Sequence, residues 1–182
     1  MSMSAADTET QVPPGELIHS ADVVQAAIVR QADVLRPVLR EEYPLVLVLM
    51  QGALYYAAWL TLALAIPLEL DYVHVSRYAD RREGRGLVWQ RPPSADIAGR
   101  NVLIVDDIFD EGETLAAVRE ACKRAGARRL HTAVMTRKRH DRVRAAAPDS
   151  VALDVPDRFI VGCGLDDAGR WRNLPALYAL DV

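Results

Sequence analysis

The sequence is poor in cysteine and has no excess of positive charge, and each shortage argues against a class of protein. Its 182 residues include two cysteines, Cys122 and Cys163, without a CxxC or Cys/His spacing. This argues against a zinc site or a disulfide framework and favours a reducing cytoplasm as the compartment. With 22 Lys and Arg against 25 Asp and Glu, the formal net charge is -3 at pH 7. That balance argues against nucleic acid as a partner, because bulk attraction to a phosphate backbone needs positive charge.

Long hydrophobic runs and targeting signals are missing as well. The most apolar window, residues 54–68, contains Pro67 and is too short to span a bilayer as a helix. Residues 1–15 are polar and lack the basic and apolar regions of a secretory signal. We therefore expect a disordered tail at residues 1–15 and no role at a membrane.

The composition is sufficient for one folded domain. Apolar residues make up 51% of the sequence and charged residues 26%, a balance that allows a buried core. A chain of this length usually forms one domain rather than two. We predict a single domain over residues 16–182.

A helix is predicted after Ser20, which is a suitable N-cap residue. The apolar positions that follow recur with the 3.6-residue period of an amphipathic helix; they are Val23, Val24, Ala27, Ile28, Val34, Leu35, Val38 and Leu39. Pro37 falls inside this pattern and predicts a kink or an early end, because proline lacks an amide hydrogen and crowds the preceding turn. Pro44 should end the segment.

Strands and helices alternate along the rest of the chain. Residues 45–50 (LVLVLM) and 102–105 (VLIV) are continuous apolar runs typical of strands buried on both faces. Helices are predicted at 54–65 and 114–125, and further strands at 68–75, 132–135, 151–153 and 159–161. The alternation predicts the α/β class, with a mainly parallel sheet and helices on both of its faces. The long polar segment 79–96 is predicted to be a functional lid or disordered.

The most informative stretch is residues 102–115, VLIVDDIFDEGETL. The pattern predicts a buried strand that stops at Asp106 and Asp107, followed by a loop and a helix. In open α/β sheets ligands bind at the carboxyl ends of strands, where a helix N-terminus offers amide hydrogens to an anion. Gly112 would let the backbone approach a phosphate, and Thr114 would cap the helix. The two glutamates of the loop would repel a phosphate unless they point outward, and a solvated turn is the alternative.

This stretch resembles the phosphoribosyl pyrophosphate signature of the type I phosphoribosyltransferases. Other segments, in family order along the chain, resemble one branch of that family, the hypoxanthine-guanine phosphoribosyltransferases. They are Met50-Gln51-Gly52-Ala53, Ser76-Arg77-Tyr78, Lys138, and PDRFIVGCGLD followed by WRNLP, and the matches together cover residues 45–174.

The resemblance implies a fold, a reaction and partners. The fold is a mainly parallel sheet flanked by helices, with a small hood from the terminal segments, a flexible lid loop at about residues 77–96 and a base-binding segment at about residues 155–182. The reaction is purine salvage: phosphoribosyl passes from 5-phosphoribosyl 1-pyrophosphate to hypoxanthine or guanine, giving IMP or GMP and pyrophosphate, with Mg²⁺ as cofactor. A homodimer or homotetramer is also implied.

The same resemblance implies roles for residues around the sugar and its phosphates. Asp106 and Asp107 would contact the ribose hydroxyls and the water shell of Mg²⁺. Asp166 would bind a second Mg²⁺ through pyrophosphate, and Arg172 would pair with pyrophosphate oxygens. The loop residues divide into three groups: Gln51 and Gly52 at the pyrophosphate, Arg77 and Tyr78 at the start of the lid, and Asp110, Glu111, Gly112, Glu113 and Thr114 at the 5′-phosphate.

Further residues are implied at the purine base. Asp110 would take up the proton of N7 and stabilise developing charge. Lys138 has three donors and no acceptor, so it would select a 6-oxo over a 6-amino purine. Phe159 would stack on the ring, and carbonyl groups near Ile160 and Asp166 would accept from a 2-amino group.

Each of these residues also has a plainer interpretation. Asp110 could cap a turn, Phe159 could belong to the core, and Asp166 could be an ordinary turn carboxylate. Arg172 could be a surface arginine. Lys138 lies in a charged run, residues 137–144, that could be a solvated face, and Arg137 or Arg139 could be mistaken for it.

Three positions differ from the family pattern. Gln51 stands where the family often has lysine, so a direct cation to pyrophosphate is lost. Arg77 stands where the lid often has serine, and Glu111 stands where the phosphate loop often has threonine. The resemblance further implies a strained or cis peptide at Gln51.

Two non-enzymatic functions compete with the transferase. The VLIVDD string also looks like the start of a phosphoacceptor receiver domain, but in that domain the acidic pair lies near the beginning, whereas here it lies past the middle of the chain. The other is a regulator that keeps the fold and senses phosphoribosyl pyrophosphate without turnover. Asp110 and Lys138 argue against it, because sensing needs neither a proton acceptor nor a base-selecting lysine.

Overall fold

The computed structural model of the protein describes residues 13–40, 43–77, 87–145 and 147–181. Its helices and strands follow one another as β1 (Gly15–His19), α1 (Ala21–Leu39), β2 (Leu45–Met50), α2 (Leu54–Leu64), β3 (Glu69–Arg77), β4 (Leu87–Arg91), β5 (Asn101–Phe109), α3 (Glu113–Arg124), β6 (Arg129–Arg139), β7 (Ser150–Pro156), β8 (Phe159–Val161) and β9 (Leu177–Leu180). None of the helices described in these ranges is long and apolar enough to cross a membrane.

The main sheet has the strand order β4-β3-β2-β5-β6-β7. Neighbouring strands are parallel except for β3 and β4, which are antiparallel. The continuous apolar run of β2 lies at the centre, in register with β5 so that Leu45 faces Val102 and Val48 faces Val105. The α/β class with a mainly parallel sheet is therefore confirmed.

Side chains of the central strands alternate between two apolar layers, because successive residues of a strand point to opposite faces. Val46, Val48, Leu103 and Val105 are buried in the layer that contains α1 and α2. Leu45, Leu47 and Ile104 are buried in the layer that contains the apolar face of α3. Each fully buried side chain of this size stabilises the fold by about 1.5–3 kcal/mol, so the two layers hold the strand ends in place.

A second, antiparallel sheet of three strands has the order β1-β9-β8 and forms the predicted hood from the two ends of the chain. Gly15 begins β1 opposite Leu180, and a Cβ on Gly15 would lie 2.2 Å from the carbonyl oxygen of Ala179. Residues 1–12 of the predicted tail lie outside the described residues. The predicted tail, residues 1–15, includes Gly15, which belongs to the hood sheet. Its predicted end is therefore wrong.

Two predicted helix ends differ from the structure. Helix α1 continues two residues past Pro37, because the missing hydrogen bond falls in the last turn and the buried Leu39 packs that turn against the core. Helix α3 begins at Glu113, and its N-cap is Gly112 with φ +79°. Thr114 therefore lies inside the helix and is not its cap.

Two strands are longer than the apolar patterns predict, and a third lies in a segment where no strand was predicted. Strand β5 runs on to Phe109, so Asp106 and Asp107 belong to the strand and do not end it. Strand β6 includes Lys138, which the pattern placed after a strand ending at Met135. Strand β4 occupies residues 87–91 of the polar segment that was predicted as lid. Backbone pairing with neighbouring strands extends β5 and β6 through polar side chains, which an apolar pattern does not detect.

Candidate active site

A cavity of about 290 Å³ opens at the carboxyl ends of the central strands, beside the N-terminus of α3. It is lined by residues from β2, β3, β5 and the loop before β9, because parallel strands end at one edge of the sheet. Eight of the predicted site residues line it: Gly52, Asp106, Asp107, Asp110, Gly112, Thr114, Asp166 and Arg172.

The loop after β2 forms one wall of this cavity. A Cβ on Gly52 would lie 1.7 Å from Oδ2 of Asp107, so only glycine leaves room for that carboxylate. The Met50–Gln51 peptide is cis, as the resemblance implied. Gln51 itself is exposed and does not line the cavity.

The acidic pair on β5 is held by hydrogen bonds of the strand itself. Oδ1 of Asp106 accepts from the amide of Asp107 at 3.0 Å, and Oδ1 of Asp107 accepts from the amide of Ile108 at 2.8 Å. The hydroxyl of Thr136 on β6 donates to the carbonyl oxygen of Asp107 at 2.9 Å. Burial raises the pKa of the Asp107 carboxyl, which makes this carboxylate dependent on a nearby positive charge when it is ionised.

The turn between β5 and α3 is tight because of Gly112. Its φ is +79°, and a Cβ there would lie 2.3 Å from the ring of Phe109. The first helical hydrogen bond runs from the amide of Ala116 to the carbonyl of Gly112 at 2.9 Å. The first turn of α3 thus begins at the cavity, where its positive dipole end favours an anion. The side chain of Glu111 pairs with Arg142 at 3.5 Å.

Asp110 is the most heavily partnered carboxylate of the site. Its Oδ2 lies 3.3 Å from Nζ of Lys138, and its Oδ1 lies 2.8 Å from Nε2 of His140 and 2.8 Å from Nη2 of Arg142. Burial alone would raise the pKa of Asp110, but Arg142, Lys138 and His140 together lower it. Asp110 is therefore held as a carboxylate that has one oxygen toward Lys138.

Arg142 connects this cluster to a second cavity. Its guanidinium also donates to Asp157, at 2.6 Å and 3.0 Å. Asp157 lines an open cavity of about 650 Å³ together with Arg158, Phe159, Leu180 and Asp181. The ring of Phe159 is 44% exposed there, so it is not a core residue, whereas the side chain of Ile160 is buried.

The loop between β8 and β9 carries Arg172, a cation that lines the main cavity. Nη2 of Arg172 lies 2.7 Å from Oδ1 of Asp166, and its Nη1 donates to the carbonyl of Gly164 at 2.6 Å. Oδ2 of Asp166 accepts from the amide of Gly169 at 2.7 Å. Arg172 is therefore fixed at the cavity and is not a loose surface side chain.

The structure separates Lys138 from its basic neighbours. Arg137 and Arg139 both donate to Asp154, at 2.7 Å and 2.6 Å, whereas Lys138 faces Asp110. The alternation of side chains along a strand explains this division. Of the predicted lid residues, Arg77 ends β3 and Tyr78 lies outside the described residues. Glu113, which was predicted at the 5′-phosphate, begins α3 but does not line the cavity.

Sequence reasoning missed three residues of the Asp110 cluster: His140, Arg142 and Asp157. The first two were treated as part of a charged run with no assigned role. Lys138 and His140 are two positions apart, the spacing at which side chains of an extended chain share a face. That spacing was the available signal, but no sequence pattern shows that this face meets Asp110.

Comparisons with known proteins agree with this geometry. The family model of the phosphoribosyl transferase domain matches residues 26–168. The hypoxanthine-guanine phosphoribosyltransferase of Bacillus subtilis (strain 168) is 30% identical over 166 residues, which cover 91% of this chain and 92% of that protein. The enzyme of the same name from Streptococcus pyogenes serotype M3 (strain ATCC BAA-595 / MGAS315) is 34% identical over 137 residues, 75% of this chain and 76% of that protein.

A solved structure gives the same result for the fold. The crystal structure of a hypoxanthine phosphoribosyltransferase from Staphylococcus aureus has a TM-score of 0.84 at 25% identity and covers 91% of both chains. The receiver-domain interpretation is wrong, because the match extends over most of the chain and not only over the VLIVDD strand. This chain belongs to the phosphoribosyltransferase family, in its hypoxanthine-guanine branch.

Proposed function

We propose that this protein transfers phosphoribosyl from 5-phosphoribosyl 1-pyrophosphate to hypoxanthine or guanine, giving IMP or GMP and pyrophosphate in purine salvage. The relatives of 30% and 34% identity carry the name of that activity. The proposal extends it to this chain on the chemistry of its own residues.

The observation that carries the proposal is the 3.3 Å approach of Lys138 Nζ to Asp110 Oδ2. N7 and O6 are neighbours on one edge of a 6-oxopurine. An ammonium can donate to O6, and a carboxylate can accept from N7–H, so the pair matches that edge. A 6-amino purine would place its amino group, a donor, opposite the ammonium, which is also a donor. Neither group could accept a hydrogen bond from the other, so such a base would be rejected.

The same pair suits the chemistry of the transfer. N9 of the base bonds to C1 of the ribose while the bond from C1 to pyrophosphate breaks, and pyrophosphate leaves with the electron pair. The purine becomes positively charged as N9 bonds, which makes its N7 proton more acidic. The pKa of Asp110 is lowered, so this carboxylate is ionised at neutral pH and can take up or stabilise that proton.

The other end of the cavity suits the sugar and its phosphates. Asp106 and Asp107 would hold the ribose hydroxyls, and the backbone from Asp110 to Thr114 would hold the 5′-phosphate at the N-terminus of α3. Arg172 would pair with pyrophosphate beside Gly52. Phe159 would stack on the purine, because Arg142 connects its cavity to Asp110. The carbonyls near Ile160 and Asp166 would accept from a 2-amino group.

The site also suits a Mg²⁺ ion that keeps several of its water ligands. No group of three or more metal-ligating side chains occurs in the described part of the chain. Mg²⁺ is usually held by one or two carboxylates plus substrate phosphates and waters, which Asp106 and Asp107 can supply together with the substrate. Asp166 would contact a second ion through its remaining lone pairs. Bound Mg²⁺ would neutralise pyrophosphate, and the pKa of Asp107, raised by burial, fits a carboxylate that needs such a charge.

The predicted lid, segment 77–96, would exclude water from the reactive sugar, although its residues 78–86 lie outside the described residues. Its far end is fixed to the sheet, because Asp71 on β3 accepts hydrogen bonds from the amides of Ser94 and Ala95 at 2.6 Å and 2.8 Å. The cytoplasmic location remains a prediction from the cysteine content.

A homodimer or homotetramer is part of the proposal. Helix α2 contains no charged residue (LYYAAWLTLAL), and its Leu62 is 77% exposed. Leu54 on the same helix and Leu70 and Tyr72 on β3 are also exposed, and these three line one apolar cavity. Contiguous exposed apolar side chains of this kind mark association surfaces.

The deciding experiment mixes the purified protein with 5-phosphoribosyl 1-pyrophosphate, Mg²⁺ and one base: hypoxanthine, guanine, xanthine or adenine. Chromatography should detect IMP or GMP, and no AMP. The Asp110→Asn variant should lose most of this activity, whereas Asp33→Asn, which changes an exposed carboxylate on α1, should not. If neither hypoxanthine nor guanine gives a nucleotide, while the protein still binds 5-phosphoribosyl 1-pyrophosphate, the sensing regulator is the better interpretation.

A further inference from the structure

His140 is a nearly buried histidine with no part in the reaction outlined above. Its side chain is 4% exposed, and Nε2 lies 2.8 Å from Oδ1 of Asp110. Neither the main cavity nor the Phe159 cavity is lined by it. His140 therefore touches the carboxylate that meets the base without lining the space where the base would lie.

The backbone determines which ring nitrogen of His140 carries the proton. The amide of Arg142 donates to Nδ1 of His140, at 3.2 Å, so Nδ1 is the acceptor. A neutral imidazole has one donor and one acceptor nitrogen. The hydrogen therefore lies on Nε2, and Nε2–H donates to Asp110.

The two oxygens of Asp110 consequently have different partners. Oδ1 accepts from His140 and from Arg142, both at 2.8 Å, while Oδ2 faces Lys138 at 3.3 Å. Two donors on one oxygen restrict rotation of the carboxylate. The other oxygen is thereby directed to the side where Lys138 would meet O6 of the base.

We propose that His140 is a positioning residue for Asp110, which holds Oδ1 through a neutral Nε2–H so that Oδ2 receives the N7 proton of the purine. This rests on the proposed transferase function. The proton remains on Oδ2 of Asp110 and does not pass to His140, because Nε2 already carries a hydrogen and donates it to Oδ1.

The charged groups around the ring are consistent with a neutral donor. Asp110 accepts from Nε2, and the guanidinium of Arg142 binds the same carboxylate oxygen, while only the backbone amide of Arg142 reaches Nδ1. Arg144 donates to the carbonyl oxygen of His140 at 3.3 Å. Lys138 and Asp157 are the other charged groups of the cluster. Lys138 and Arg142 already supply two positive charges beside the two carboxylates Asp110 and Asp157, so the cluster does not need a third on the imidazole.

The first test reads the tautomer without any activity. The chain has four histidines, so long-range ¹H–¹⁵N correlation of protein labelled with ¹⁵N-histidine gives few signals, and His140 is assigned by its absence in His140→Gln. We expect a neutral ring protonated at Nε2, and loss of that fixed tautomer in Asp110→Ala. A ring protonated at Nδ1 in the unmodified protein would overturn the proposal.

The second test measures single-turnover formation of IMP with saturating 5-phosphoribosyl 1-pyrophosphate, Mg²⁺ and hypoxanthine. His140→Ala should lower this rate roughly tenfold to a hundredfold, the range for a lost hydrogen bond to a charged group, without changing the affinity for 5-phosphoribosyl 1-pyrophosphate. His140→Gln keeps an N–H at a similar reach and should recover most of the rate. His131→Ala, on β6 and away from the site, is the matched control.

The outcomes separate this proposal from the proposed function. Wild-type protein that makes no nucleotide contradicts the transferase function, while the tautomer measurement still stands or fails by itself. Active wild-type protein with an unchanged rate in His140→Ala overturns the positioning role. An equal loss in His140→Gln and His140→Ala also overturns it, because a loss that an N–H donor does not restore indicates a merely structural role.

Discussion

Gly164 packs against Gly52 so closely that a Cβ on Gly164 would lie 1.8 Å from the carbonyl oxygen of Gly52. The φ of Gly164 is +102°, in the region that favours glycine. Gly164 is also bonded to Arg172 on both sides, because its amide donates to the carbonyl of Arg172 at 2.8 Å and its carbonyl accepts from the guanidinium. This contact joins the loop after β2 to the loop that holds Asp166, across a distance in sequence of more than a hundred residues.

The first prediction concerns this contact. Gly164→Ala should push the two loops apart and lower the affinity for 5-phosphoribosyl 1-pyrophosphate by about tenfold or more, because the strain of positive φ costs about 1–2 kcal/mol before the backbone clash is added. Isothermal titration with Mg²⁺ present measures the affinity.

Gly169→Ala provides the matched control. Gly169 lies in the same loop at φ +83°, but no atom lies within 4 Å of the position that a Cβ would take there. It carries the conformational strain without the clash, so its effect should be small. Equal losses of affinity in the two variants would contradict the role given to the Gly52 contact.

Lys138 should determine the choice of base. Lys138→Ala should raise the KM for hypoxanthine and guanine roughly tenfold to a hundredfold, or abolish activity, because a charged hydrogen bond to O6 is lost. Binding of the 5′-phosphate should change far less. Steady-state kinetics with each base measures the effect, and Lys123→Ala, an exposed lysine paired with Glu120 on α3, is the control. An unchanged base preference would mean that another residue selects the base.

Asp71 should stabilise the protein in a pH-dependent way. Its carboxylate accepts from the amides of Tyr72, Ser94 and Ala95 and pairs with Arg91. Burial raises the pKa of Asp71, but these hydrogen bonds outweigh it, so the pKa is lowered in the folded protein. The stabilisation is therefore complete above the unfolded value of about 3.9 and is lost as the pH falls below it, through the folded pKa.

Urea unfolding at fixed protein concentration tests this expectation. Asp71→Asn should lower the free energy of unfolding by about 1–3 kcal/mol at pH 7. Between pH 5 and pH 3 the variant should lose less of its stability than the wild type does. Asp33→Asn, which removes an exposed pair with Arg36, should change stability by less than about 1 kcal/mol. Parallel pH dependence in Asp71→Asn and the wild type would contradict the assignment.

Self-association should depend on the apolar surface of α2. Leu62→Glu places a charge at its most exposed leucine and should convert the assembly to monomers, because an unpaired charge is costly to bury in an interface. Sedimentation velocity measures the state. Val143→Glu, at an exposed loop position, is the control, and an assembly unchanged by Leu62→Glu would place the interface elsewhere.

Local sequence patterns predicted much of the fold. The continuous apolar run of β2 was located at its observed bounds, and α2 and α3 within a residue or two, because burial on both faces or on one stripe leaves a local signature. Strands β1, β4 and β9 were missed. They are short, and each forms by pairing with another strand. A local pattern does not show which strand that partner is.

The candidate site was predicted unevenly for the same reason. The motif residues Asp106, Asp107, Asp110 and Gly112 lie together in sequence, and their place at the end of a buried strand indicated a ligand site. His140 carries no motif, and Asp157 lies in the PDRFIVGCGLD segment without a role assigned to it. His140 contacts Asp110 directly and Asp157 reaches it through Arg142, and both contacts depend on how β6 and β7 lie beside β5.

By itself, the sequence determined the α/β class, the order of strands and helices apart from β1, β4 and β9, the acidic loop before α3 and the resemblance to phosphoribosyltransferases. These features follow from residue types and from spacings within one or two elements. Only the tertiary structure decided that Asp110 faces Lys138 and His140, that Gly164 abuts Gly52, and that the two chain ends form one sheet. Such contacts join residues distant in sequence, and they depend on strand order and register, which no short pattern of residues specifies.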